Sequence, residues 1–131
     1  MITKLVITGQ CPSGKNAVIV TRTGHRFPAA RFKKWRDGAM LEIMKQNSVS
    51  ISGPVHVELD YYASDRRRRD VPGIIDAVWH VLEKVGAVTD DTFLGGHGYD
   101  MIWHHHGIDR ENPRIEITLM IGEFHASYVQ V

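Results

Sequence analysis

Four consecutive arginines, Arg66, Arg67, Arg68 and Arg69, run directly into Asp70, and further along stands the pair Asp90–Asp91. Carboxylate oxygens are the ligands that hard divalent cations prefer. Guanidinium groups bind phosphate through charge-assisted, often bidentate hydrogen bonds. An ion held by these aspartates beside the arginines would polarise a phosphoryl oxygen and supply hydroxide near neutral pH, which is the chemistry of phosphodiester hydrolysis. The same residues also have a plain structural reading. Asp70 would be a negative charge favoured at a helix N-terminus, Asp90–Asp91 would be turn residues, and the arginine run a solvated loop.

The histidines offer a second chemistry. His104, His105 and His106 are adjacent, and neighbours on a strand point to opposite faces, so only His104 and His106 can share one metal, with His97 as a further candidate ligand. Zinc is one expectation there; a polar sheet face or a DNA contact is the more ordinary one. Cys11 is the single cysteine, which excludes an internal disulfide and a thiolate zinc cage within one chain. With no evident base beside it, Cys11 is expected to be structural. Trp35 and Trp79 fall in helical segments and are expected in the core or at a dimer contact, whereas the role of Trp103 stays open.

Charge supports a polyanionic partner. The formal net charge is only +1, yet residues 1–36 carry Lys4, Lys15, Arg22, Arg26, Arg31, Lys33, Lys34 and Arg36 with no acid at all. All fifteen acids lie in the rest of the chain. A basic N-terminal third suits a phosphate backbone, and acids elsewhere suit a cation site. Lys15, Arg22, Arg26, Lys33 and Lys34 are therefore candidate DNA contacts alongside Arg66–Arg69. With 131 residues, 43% hydrophobic and 24% charged, one soluble domain over residues 1–131 is expected. No apolar run approaches the ~18 residues of a membrane span, and MITKLVITGQ is too short and polar for a secretory h-region. The expected address is the cytoplasm.

These side chains need a scaffold. Residues 2–8 read as a strand closed by Gly9 and Pro12, PSGKN at 12–16 as a turn, and 17–21 as a short strand before the polar RTGHR. Phe32, Trp35, Ala39 and Ile43 form one face of a helix over 29–46, which Gly38 weakens by roughly 1 kcal/mol relative to Ala. Residues 54–62 alternate cleanly, with Val55, Val57, Leu59 and Tyr61 on one side. A second helix over 73–85 turns Ile74, Val78, Val81, Leu82 and Val85 inward, sets Asp76, His80 and Glu83 opposite, and ends at Gly86. Strands over 99–105 and 114–121 follow, with the 107–113 loop joining them as a hairpin and Ile115, Ile117, Leu119 and Ile121 pointing inward. The order β-β-α-β-α-β-β predicts an α+β fold, a mixed β-sheet with two helices packed on one face.

Across this frame the chain resembles the RusA family of Holliday junction resolvases. DRRRRD at 65–70 matches the family's arginine loop and first aspartate, and VGAVTDD at 85–91 its turn into an aspartate pair. Ala77 and Leu82 take expected places in the helix between. GQCPSGKNA at 9–17, RFKKWR at 31–36 and ENPRIEI at 111–117 resemble the opening strand and turn, the first helix and the last strand. The resemblance implies a Mg2+-dependent crossover junction endodeoxyribonuclease acting in DNA recombination and repair. It implies a homodimer that binds four-way DNA junctions and nicks two strands symmetrically, with Asp70 and Asp91 as metal ligands and Asp90 adjacent. The chain departs from the family pattern at four positions. Pro72 stands where the family has a second aspartate, Gly73 replaces an asparagine, Asp76 a lysine, and His80 a later aspartate. Asp76 is expected to replace the ligand lost at Pro72, which makes it both a metal and a catalytic candidate. The alternatives are a catalytically weakened junction-binding protein that keeps the fold, and a zinc-dependent hydrolase built on the histidines.

Overall fold

The structure, a computed structural model, describes residues 2–12, 18–20, 22–28, 30–46, 50–51, 55–88 and 99–121. Its elements in chain order are β1 (Ile2–Thr8), β2 (Val18–Val20), β3 (Arg26–Pro28), α1 (Ala30–Gln46), β4 (Val55–Ala63), α2 (Val71–Lys84), β5 (Tyr99–Ile108) and β6 (Arg114–Ile121). Strict alternation in β4 buries Val55, Val57, Leu59, Tyr61 and Ala63 and leaves His56, Glu58, Asp60 and Tyr62 half-buried on the other face. Leu5 and Ile7 of β1 and Ile115, Ile117 and Leu119 of β6 join the same core, where they meet Phe32, Ala39 and Ile43 of α1 and the apolar stripe of α2. Both helices thus cover one face of the sheet, as the α+β reading requires.

The main sheet is mixed, in the order β1-β6-β4-β5. β4 and β5 are parallel, and β6 runs antiparallel to both β4 and β1. This corrects the expected hairpin, because β4 lies between β5 and β6. Parallel neighbours need a crossover connection, and α2 supplies one between β4 and β5. A second correction concerns RTGHR. It turns the chain into an additional short strand, β3, which pairs with β2 in a separate two-stranded sheet.

Local chemistry sets the ends of α2. It begins at Val71, earlier than the hydrophobic period predicts, because Pro72 is accommodated in a first turn whose N–H has no helical partner. It ends where Gly86 takes a φ of +79° and Ala87 N–H returns to Leu82 O at 2.9 Å. A second positive φ, +93° at Gly107, falls where β5 carries one residue more than β4 between the pairs Tyr61↔His105 and Ala63↔Ile108. Such bulges re-aim side chains at sheet margins. At the opposite margin, the Gln46 amide donates to Val6 O and accepts from Val6 N–H, both at 2.8 Å. Glu42 accepts from the Thr8 hydroxyl at 2.8 Å. Side chains of α1 thereby cover the outer edge of β1, an edge that would otherwise template pairing with another chain. Among the described residues no helix is long and apolar enough to cross a membrane.

Candidate functional site

β4 delivers the chain into the arginine loop, and Asp65 shapes that loop. Its Oδ1 accepts from Arg67 N–H at 2.9 Å, an Asx-type turn, and pairs with Arg69 Nη2 at 2.7 Å. The Arg67 backbone bond, followed by the Arg69 side-chain bond, holds the Asp65 carboxyl below its usual range. Arg69 also donates to Ser64 Oγ at 3.3 Å and to Arg67 O, which leaves its side chain only 13% exposed. Arg66, Arg67 and Arg68 are exposed.

The loop borders a cavity of about 640 Å³ at the carboxyl ends of the two parallel strands. Tyr61, Trp103 and His105 furnish its aromatic lining, Arg66, Arg67 and Arg69 reach it from the loop, and Val71 closes the α2 side. Tyr61 stacks on Trp103 with centroids 5.1 Å apart and on His105 at 5.7 Å. Gln10 fixes that arrangement by donating to the Tyr61 hydroxyl and accepting from Ser64 N–H at 2.8 Å. Crevices outside the carboxyl ends of parallel strands are the usual ligand sites of β-α-β units.

Asp70 is the N-cap residue of α2; it is exposed, and its side chain makes no capping bond. Asp76 is half-buried on α2, about 9 Å further along the axis at 1.5 Å per residue. At 3.6 residues per turn the six-residue separation also sets Asp76 about 120° round the helix from Asp70. Asp90 and Asp91 lie outside the described residues, as do Lys15 and His97. The described residues nearest in sequence to Asp90 and Asp91, Ala87 and Val88, follow the other end of α2, where Val88 bridges to Ile51 ahead of β4. A helix of 14 residues is about 20 Å long.

The remaining basic candidates lie apart from the loop in sequence. Lys33 and Lys34 are exposed on α1, Arg22 is exposed in the turn between β2 and β3, and Arg26 lies in β3. Lys34 and Arg31 line a second hollow of about 400 Å³, which Gln10 also borders. Gln10 therefore stands between this basic hollow and the aromatic cavity.

On the open face of the sheet His104 and His106 do lie side by side, with ring centroids 6.3 Å apart. They engage carboxylates: His106 Nε2 is 2.6 Å from Asp60 Oδ1, and His104 Nε2 is 4.0 Å from Glu58 Oε2. His56 bridges Asp100 at 3.0 Å and Glu58 at 3.4 Å. Among the described residues no group of three or more His, Cys, Asp or Glu has the geometry to hold a metal ion. The arrangement is that of a polar sheet face. Cys11 is buried, and burial pushes its thiol up to about 12, so it is no nucleophile. Trp79 is buried and Trp35 partly buried against the core.

Sequence reasoning did not single out Asp65, Gln10 or His105, and left Trp103 unassigned. An aspartate two residues before a loop N–H is a readable turn signal. The meeting of Gln10, Tyr61, Trp103 and His105 depends on strand order and has no local signature.

No family model matches the chain. A segment of 80 residues, 60% of the chain, is 26% identical to the crossover junction endodeoxyribonuclease RusA of Aquifex aeolicus (strain VF5). The match spans 64% of that protein's length. Over that segment the chain is similar in sequence to this RusA protein.

Proposed function

We propose that this RusA-like chain is a Mg2+-dependent, structure-selective endonuclease that binds four-way DNA junctions as a homodimer and nicks them symmetrically, in recombination and repair. The observation that carries the reading is the placement of Asp70. Its carboxylate is exposed and not used in capping, directly beyond an arginine loop whose exposed Arg66 and Arg67 line a cavity. A carboxylate so placed fits a hard, oxygen-seeking cation, with Asp91, Asp90 and Asp76 as the further oxygen donors. Bound there, Mg2+ would supply Lewis-acid activation of the phosphoryl group and of water. Arg66, Arg67 and Arg68 would hold the flanking phosphates, and Arg69 would keep the loop in register. Lys33, Lys34, Arg22, Arg26 and Lys15 would extend the basic surface.

The dimer has a chemical role in this reading. Asp70 opens α2 and Val88 follows its far end. A carboxylate from a second copy can complete the oxygen set at Asp70. The second reading, a junction-binding protein of weakened activity, draws on Pro72, which takes a comfortable first-turn position where the family has a carboxylate.

Incubation with a synthetic four-way junction at near-physiological salt, with and without Mg2+, tests both. Paired nicks that require Mg2+ are expected. Tight, junction-selective binding without nicking would favour the second reading, and equal affinity for junction and linear duplex would overturn both.

A further inference from the structure

We infer that the cavity beneath the arginine loop is a stacking site for one unpaired nucleobase, taken from the DNA strand whose phosphates the loop binds. This deepens the proposed function and rests on it. The cavity, at about 640 Å³, lies within the ~300–1,000 Å³ of small-ligand clefts. Its lining divides by chemistry: Trp103 and His105 present rings from β5, while Arg66 and Arg67 bring positive charge to the same cavity. An aromatic surface beside guanidiniums matches a nucleotide, which joins a flat apolar base to an anionic phosphate. A purely apolar ligand would have no use for the arginines, and a bare phosphate none for the rings.

The rings are held ready. Tyr61 is buried, tied through its hydroxyl to Gln10, and stacked under both Trp103 and His105. Trp103 is half-buried and His105 exposed, so both keep surface available to a base. The Gly107 bulge bends β5 where the cavity opens. An open four-way junction lowers the cost of obtaining such a base, because pairs at the branch point lose stacking on one side, so that chiefly the base pair itself must be broken. Asp70 lies immediately before Val71, which lines the cavity, so a base seated there would fix its own backbone beside the candidate catalytic carboxylate.

The test is a binding cycle in EDTA, so that cleavage plays no part. Four-way junctions carrying an abasic residue at each branch-point position in turn are compared with the intact junction, using the unmodified protein, Trp103→Leu and His105→Ala. Thermal melts accompany each variant, and exposed His105 serves if Trp103→Leu does not fold. One abasic position is expected to weaken binding to the unmodified protein about tenfold, the scale of a single base–aromatic stack. Either variant should lose about the same on the intact junction, yet little more on that abasic junction. Equal losses on intact and abasic junctions would overturn the stacking site while leaving the endonuclease reading intact. Absence of junction binding by the unmodified protein would overturn both. Conversion of a dimer to a monomer by Trp103→Leu, seen by light scattering, would assign the cavity to a second copy of the chain and overturn the proposal.

Discussion

The guanidinium of Arg69 lies 2.7 Å from the carboxylate of Asp65, four residues upstream, and this pair closes the arginine loop on itself. The four arginines, equivalent in sequence, are therefore unequal in structure. Replacing Arg66 and Arg68 with Ala should flatten the dependence of log K on log salt by roughly 1.4–1.8, at about 0.7–0.9 per phosphate contact. Arg69→Ala should instead lower the melting temperature by a few degrees and change the slope by less than one contact. Salt titrations of junction binding, beside thermal melts of the free proteins, check both. An unchanged slope in the double variant would place the loop away from DNA.

Asp65 makes this loop acid-sensitive. Its folded pKa is depressed, chiefly by the Arg67 backbone bond and then by Arg69. The stabilisation is therefore present above the unfolded value and is lost as pH falls through the folded one. Loosening of the loop is expected only below about pH 4, the free aspartate value. Amide exchange at Arg67, followed from pH 6 to pH 3, should accelerate beyond its intrinsic pH trend in the unmodified protein. In Asp65→Asn that excess should be absent.

Asp91→Asn should abolish Mg2+-dependent cleavage and leave junction binding near normal or slightly tighter, since one carboxylate fewer repels phosphate. Asp76→Asn should cut cleavage at least tenfold, with partial recovery at high Mg2+, if it supplies the oxygen missing at Pro72. Cleavage by Asp91→Asn at the parental rate would remove the metal assignment. Parental activity in Asp76→Asn, with only a small stability change, would reduce Asp76 to a helix charge.

Cys11 should resist alkylation. Its thiol is buried and held at about 12, so little thiolate exists at pH 8. Iodoacetamide should leave the folded protein unmodified over the time in which the urea-unfolded chain reacts completely. Because the folded value is raised, the neutral thiol contributes stability that is lost as pH climbs between the ordinary thiol range and about 12. Rapid native labelling would show that the site opens.

Much of the scaffold was legible because it follows from local periods. The alternation of Val55, Val57, Leu59 and Tyr61 located β4, and the spacing of Phe32, Ala39 and Ile43 located α1. What the periods could not supply was adjacency. Residues 107–113 look like a hairpin loop, and only the sheet shows β4 inserted between the strands they connect. Brief β3 had too few residues to show a period. The arginine run and Asp70 were readable as chemistry, but the aromatic half of the cavity was not. It combines Tyr61 of β4 with Trp103 and His105 of β5, partners that only a parallel register across α2 brings together.

The position of β6 also sets a schedule for synthesis. Among the described residues β1 has a single strand neighbour, β6, with Ile2 opposite Met120. A ribosome adding about 5–20 residues per second leaves the first strand waiting roughly 6–24 s for its partner. Until then the apolar side of β1, Leu5 and Ile7, has the earlier-made core residues of α1, β4 and α2 to pack against, and Gln46 and Glu42 of α1 can already hold its outer edge. The helix thus brings bonds to the outer edge of β1 that do not depend on β6, the last of the described elements to be made.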